Sequence, residues 1–122
     1  MILATSPLSS QSLAIRLTDN DGTSLVYTSD TGYSEELATF ARGAELLILE
    51  CSFWRQTPTP KHLELEGAMR LAQLAEPRRL LLTHLYPEWD GVELETKAGE
   101  LWAGKIIAAF DGLRVETETT DP

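Results

Sequence analysis

The chain contains only two histidines, His62 and His84, and both stand where a predicted element begins or ends. Neutral imidazole and carboxylate oxygen are the usual ligands of zinc and similar ions, so these two residues, with Asp30 and Glu50, are the material from which a metal site could be built. Each has a bland reading of its own. Asp30 in "SDTGYS" can form an Asx turn or a helix cap, and His62 in "KHLELE" can be an exposed residue ahead of a helix. His84 in "LLLTHLYP" can be a hydrogen-bonded residue closing a strand, and Glu50 an ordinary strand-end carboxylate. Cys51 lies in the apolar run "LLILECSF", which lacks the exposed, electropositive setting of a reactive thiol, so it reads as a small buried residue.

Whether these residues meet depends on the elements that carry them. Residues 13–17 ("LAIRL") alternate, "DNDG" supplies turn chemistry, and residues 24–28 ("SLVYT") resume an extended pattern, which together predict a hairpin. Ser34 precedes "EELATFARG", where acidic residues open the first turn and Gly43 stands where a C-terminal cap belongs. The run 45–50 ("ELLILE") is almost wholly apolar, as expected of a strand covered on both faces in a parallel sheet. "CSFWRQTPTPKH" reads as a loop. Leu63, Ala68, Leu71, Ala72 and Ala75 mark an amphipathic helix stopped by Pro77, and 79–83 ("RLLLT") follows as a strand. A third helix is predicted over 94–109, with Leu101, Ile106 and Phe110 as candidate inward residues, although Gly99 and Gly104 weaken it. A last alternating strand is predicted over 111–118.

The order β-β-α-β-α-β-α-β predicts an α/β layered fold in a single domain over 1–118, with 119–122 as a disordered tail. Right-handed crossovers would set the loops after "VYT", "LLILE" and "RLLLT" at one sheet edge, which would gather Asp30, Glu50, His62 and His84. The segment "LYPEWDGVELETK" carries Trp89 and could serve either as a lid or as a surface loop.

Ten basic against nineteen acidic side chains give a formal charge of -9, and the arginines are scattered. That balance argues against a nucleic-acid backbone as partner of the isolated chain. The first residues show no charged leader and no run is long enough for a membrane span, so a cytoplasmic location is expected. One cysteine forms no internal disulfide.

Taken in order, "LVYTSDTGYSEELATFARGAELLILECSF", "KHLELEGAMRLAQLA", "RRLLLTHLYP" and "AAFDGLRVE" resemble the C-terminal half of the metallo-β-lactamase superfamily, closest to ribonuclease Z and related phosphodiesterases. The resemblance implies half of an αββα sandwich, a mixed sheet covered by helices on one face. It implies that Asp30 bridges two metal ions, zinc or manganese, that His84 is the last metal ligand, and that His62 is the catalytic loop histidine that protonates the leaving group. Glu50 would orient a ligand from behind.

The family's N-terminal half carries a His-x-His-x-Asp-His signature that this chain lacks. The chain alone is therefore expected to bind metal weakly or not at all, and to be inactive until that half is supplied. Two local departures accompany this: Ser29 stands in place of a glycine, and Glu64 in place of a threonine that would cap the following helix. A half-sandwich would leave one sheet face bare, which implies a homodimer or a separate chain carrying the N-terminal half. Proteolysis or gene truncation would also produce such a chain. The alternative reading is a non-catalytic dimerisation module descended from a hydrolase, with Asp30, His62 and His84 as remnants.

Overall fold

The structure, a computed structural model, describes residues 2–7, 13–55 and 62–118. One six-stranded sheet runs β1 (Ile2–Pro7), β2 (Leu13–Thr18), β3 (Ser24–Tyr27), β4 (Leu46–Glu50), β5 (Arg79–Thr83) and β6 (Lys105–Ala108), in that spatial order. The first three strands pair antiparallel and β3 to β6 pair parallel. Helices α1 (Glu35–Phe40) and α2 (Leu65–Ala75) form the crossovers into β4 and β5, and α3 (Leu94–Gly99) lies on the path to β6.

Register explains which side is covered. Val26 aligns with Leu47, Leu47 with Leu80 and Leu80 with Ile106, so alternate residues of four strands form one apolar row. That row packs in one core with Leu37 of α1, Met69 and Leu71 of α2, and Leu94 of α3. Burial of this apolar surface is the main force holding the layers together. The opposite parity carries Leu46 and Leu81, which are buried, together with Leu17, Leu25, Ile48 and Ile107, which are only partly buried, and Tyr27, which is 40% exposed. Strands with two apolar faces and helices on only one of them are the expected mixed half-sandwich.

The helix punctuation follows local chemistry. Ser34 Oγ accepts from Leu37 N–H at the start of α1, and Gly43 takes φ +70° after its end. Glu64 caps α2 with its own carboxylate, accepting from Gly67 N–H at 3.0 Å, so the cap expected to be lost with the threonine is retained.

Four expectations are corrected. The helix predicted over 94–109 ends at Gly99, and Lys105–Ala108 form a parallel edge strand instead. The ladder with β5 turns Ile106 and Ala108 toward the core, a register that a helix would break. Leu101 and Phe110, expected inside, are 43% and 67% exposed. Between helix and strand, the Trp102 ring fills the space that a Cβ on Gly104 would need. Second, 111–118 forms no strand; it returns to the sheet, where Arg79 Nη2 donates to Glu116 O at 2.7 Å. Third, β1 adds an unanticipated edge strand ahead of the hairpin. Fourth, Trp89 is neither lid nor surface: it is 5% exposed and its Nε1–H donates to Cys51 O at 2.8 Å. The tail 119–122 and residues 56–61 of the predicted loop lie outside the described residues. Among the described residues, no helix is long and apolar enough to cross a membrane.

Candidate metal centre

Because β3, β4 and β5 are parallel neighbours, their carboxyl ends share one edge, and three loops start there. The loop after β3 carries Asp30, that after β4 runs from Cys51 toward His62, and that after β5 begins with His84. The backbone is locked at this edge by Thr28 N–H to Ile48 O at 3.1 Å, Cys51 N–H to Thr83 O at 2.9 Å and Tyr86 N–H to Ser52 O at 3.0 Å. Glu88 Oε1 accepts from Trp54 and Arg55 N–H, which ties the loop after β4 to the turn after β5.

Two non-glycine residues at the edge adopt left-handed backbone, Ser29 at φ +56° and His84 at φ +59°. This conformation explains why a glycine suits position 29. Ser29 Oγ donates to Leu13 O at 2.8 Å and so steadies the turn without one. At His84 the turn swings the imidazole back over the strand ends. Backbone of this kind persists only where surrounding contacts enforce it, and it concentrates at working sites.

Asp30, His62 and His84 come together: one ligand atom from each lies within 4.8 Å of the others. Ligands about 2.1 Å from a tetrahedral ion stand about 3.4 Å apart, a spacing that the Asp30 and His84 atoms, at 3.5 Å, already have. His84 Nε2 is 3.5 Å from Asp30 Oδ1, and the two imidazoles stack with centroids 5.3 Å apart. Asp30 and His84 are 57% and 38% exposed, His62 only 17%.

Glu50 lies beneath them, with a side chain 2% exposed. Its Oε1 accepts from Thr31 N–H at 2.7 Å and contacts His62 Nδ1 at 2.9 Å, while Oε2 meets Ser52 Oγ at 2.5 Å. Ser52 Oγ also reaches His84 Nδ1 at 2.9 Å. Tyr86 closes the pocket from the side, its hydroxyl 3.5 Å from His62 Nε2 and its ring edge-on to Phe53. Ser52, Thr31 and Tyr86 carried no signal in the sequence, since neutral hydroxyls and backbone N–H groups gain meaning only from placement.

Cys51 is buried beside this edge, and burial together with the nearby Glu50 and Glu64 charges pushes its thiol well above the ordinary cysteine range. Without thiolate it is a poor nucleophile. The native protein is expected to resist iodoacetamide at neutral pH and to take up one equivalent once unfolded in urea. Rapid labelling of the folded chain, read by intact mass, would contradict this.

A family model described as a beta-lactamase superfamily domain matches residues 3–85. The chain belongs to the metallo-β-lactamase superfamily. Within this superfamily it is 39% identical over 101 residues to YhfI of Bacillus subtilis, named a probable metallo-hydrolase, covering 81% of this chain and 41% of that protein. It is 35% identical over 106 residues to ribonuclease Z of Myxococcus xanthus, covering 82% of this chain and 34% of the enzyme. An uncharacterised protein of Mycobacterium leprae is 36% identical over 104 residues, covering 84% of this chain and 37% of the relative. The crystal structure of YhfI, a metallo-β-lactamase fold protein, superposes with a TM-score of 0.78 at 29% identity, covering 91% of this chain and 46% of that one. The chain thus spans less than half the length of these superfamily relatives.

Proposed function

We propose that this chain supplies one half of the active site of a metal-dependent hydrolase acting on a phosphodiester or other ester-like substrate, with zinc or manganese as cofactor. The observation that carries the reading is the convergence of Asp30, His62 and His84 over a buried Glu50 at the carboxyl edge of the sheet. The names of two relatives, a probable metallo-hydrolase and a ribonuclease Z, support the same class of reaction. An imidazole nitrogen from His84 and a carboxylate oxygen from Asp30 are donors suited to either ion.

In this reading Asp30 and His84 hold the metal from one side, and the remaining ligands come from the His-x-His-x-Asp-His half that this chain lacks. Bound divalent ions would supply positive charge to the phosphoryl or acyl oxygen and activate a water molecule. His62 delivers a proton from Nε2 to the leaving oxygen as the ester bond breaks, while Glu50 holds its Nδ1–H and fixes the ring. The partly exposed row of Leu17, Leu25, Ile48 and Ile107 supports a cover on the open sheet face, and the lengths of the relatives favour the missing half of the fold over a second copy.

The test uses zinc and bis(p-nitrophenyl) phosphate. The chain alone is expected to give only background hydrolysis, and the chain supplied with the signature-bearing half of a relative a rate above it. Asp30→Ala with His84→Ala should abolish that gain. Unchanged zinc content and unchanged hydrolysis in the double variant would sink the enzyme reading. A metal-free homodimer by native mass spectrometry, inactive even when supplemented, would favour a dimerisation module.

A further inference from the structure

We infer that Ser52 is a positioning residue that fixes the tautomer of His84, so that the imidazole presents Nε2 as a bare lone pair toward Asp30. The inference deepens the metal-site reading and rests on it. Ser52 is fully buried, and its single hydroxyl proton has two claimants, Glu50 Oε2 at 2.5 Å and His84 Nδ1 at 2.9 Å. The Glu50 carboxylate can only accept, so if the proton turned to His84, two oxygen lone pairs would face each other across 2.5 Å. The proton therefore goes to Glu50.

Ser52 Oγ is then left as an acceptor toward His84, and the histidine must donate through Nδ1–H. A neutral imidazole protonated at Nδ1 has its lone pair on Nε2, and the 3.5 Å from Nε2 to Asp30 Oδ1 is too long a contact to draw the proton away from the 2.9 Å contact with Ser52 Oγ. Glu50 holds Nδ1–H of His62 directly, through Oε1 at 2.9 Å, which leaves Nε2 of that ring as the nitrogen that takes up and delivers the proton. One buried carboxylate thus sets both rings, one by contact and one through a hydroxyl. Ser52 Oγ also lies 3.4 Å from His62 Nδ1, a longer contact that the closer Glu50 oxygen outcompetes. Partners that orient a metal-ligating histidine through its other nitrogen are commonly worth about 10–100-fold in metal affinity.

The full chain, labelled with nitrogen-15 and free of metal, gives the first readout: two-bond proton–nitrogen spectra should show neutral His84 protonated at Nδ1. Finding it protonated at Nε2 in the parent protein would overturn the inference with no variant needed. In Ser52→Ala the preference should be lost, and zinc affinity measured with the signature-bearing half supplied should fall about tenfold. Ser52→Thr, which keeps the hydroxyl, should restore both. A Ser52→Ala protein that folds and keeps His84 wholly at Nδ1–H would overturn the inference. If the tautomer changes as expected but the parent takes up no zinc even when supplied with the signature-bearing half of a relative, the hold of Ser52 on His84 stands and the metal reading falls.

Discussion

Glu50→Ala is expected to destabilise the fold by about 3–5 kcal/mol, as removal of one partner from a buried polar cluster does. The carboxylate is 2% exposed and satisfies Thr31 N–H, His62 Nδ1–H and the Ser52 hydroxyl. The Ser52 hydroxyl can turn to His84 Nδ1 at 2.9 Å, but Thr31 N–H and His62 Nδ1–H lose their short contacts to Glu50, and water entering the cavity would compensate only part of that loss. The measurement is the urea midpoint followed by circular dichroism, with the slope checked for a change in the surface exposed. A cost below about 1 kcal/mol would mean that the cluster is already solvated. Glu50→Gln separates packing from acceptance. It keeps the volume, and with the amide NH2 facing Ser52 it frees the hydroxyl to turn toward His84, so the fold should survive better than the metal site.

With the signature-bearing half of a relative supplied, His84→Asn should weaken zinc binding by about a hundredfold or more, because removing a ligand costs at least as much as removing the groups that orient one. Asparagine is the informative choice because position 84 takes φ +59°, a conformation that asparagine tolerates and alanine resists. The variant therefore keeps the turn while losing Nε2. Titration against a competing chelating dye gives the affinity, and an unchanged urea midpoint shows that the loss is local. Zinc binding equal to that of the parent would remove His84 from the ligand set.

The elements that the sequence made legible are those whose residues obey a single period. "LLILE" and "RLLLT" read as covered parallel strands because one face meets the helices while the other stays apolar, and both lie at the centre of the sheet. The hairpin and the capped helix α1 were legible from turn and cap chemistry that acts within a few residues. "KIIA" was not, because Leu101, Ile106 and Phe110 mimic helical spacing, and only pairing with β5 reveals that Ile106 belongs to a strand. The short, mixed run "ILATSP" became β1 through its antiparallel partner β2. At the site, Asp30, His62 and His84 were visible by residue type, and the fold brought all three to one edge. Ser52 was invisible for the opposite reason: a serine two positions past a strand glutamate is ordinary until His84 is seen above it.

The three loops of this edge follow β3, β4 and β5, joined by crossovers rather than hairpins, and Glu50 pairs with Thr83 only when the last of these strands has docked. Such pairings between distant chain segments form late and slowly. No fragment that stops short of β5 contains the site, so a metal ion finds its ligands only on a sheet already assembled through β5. Occupancy would then act as a proofreader: an ion held by these side chains certifies the parallel register from β3 to β5, and its affinity strengthens those strands together rather than any one turn among them.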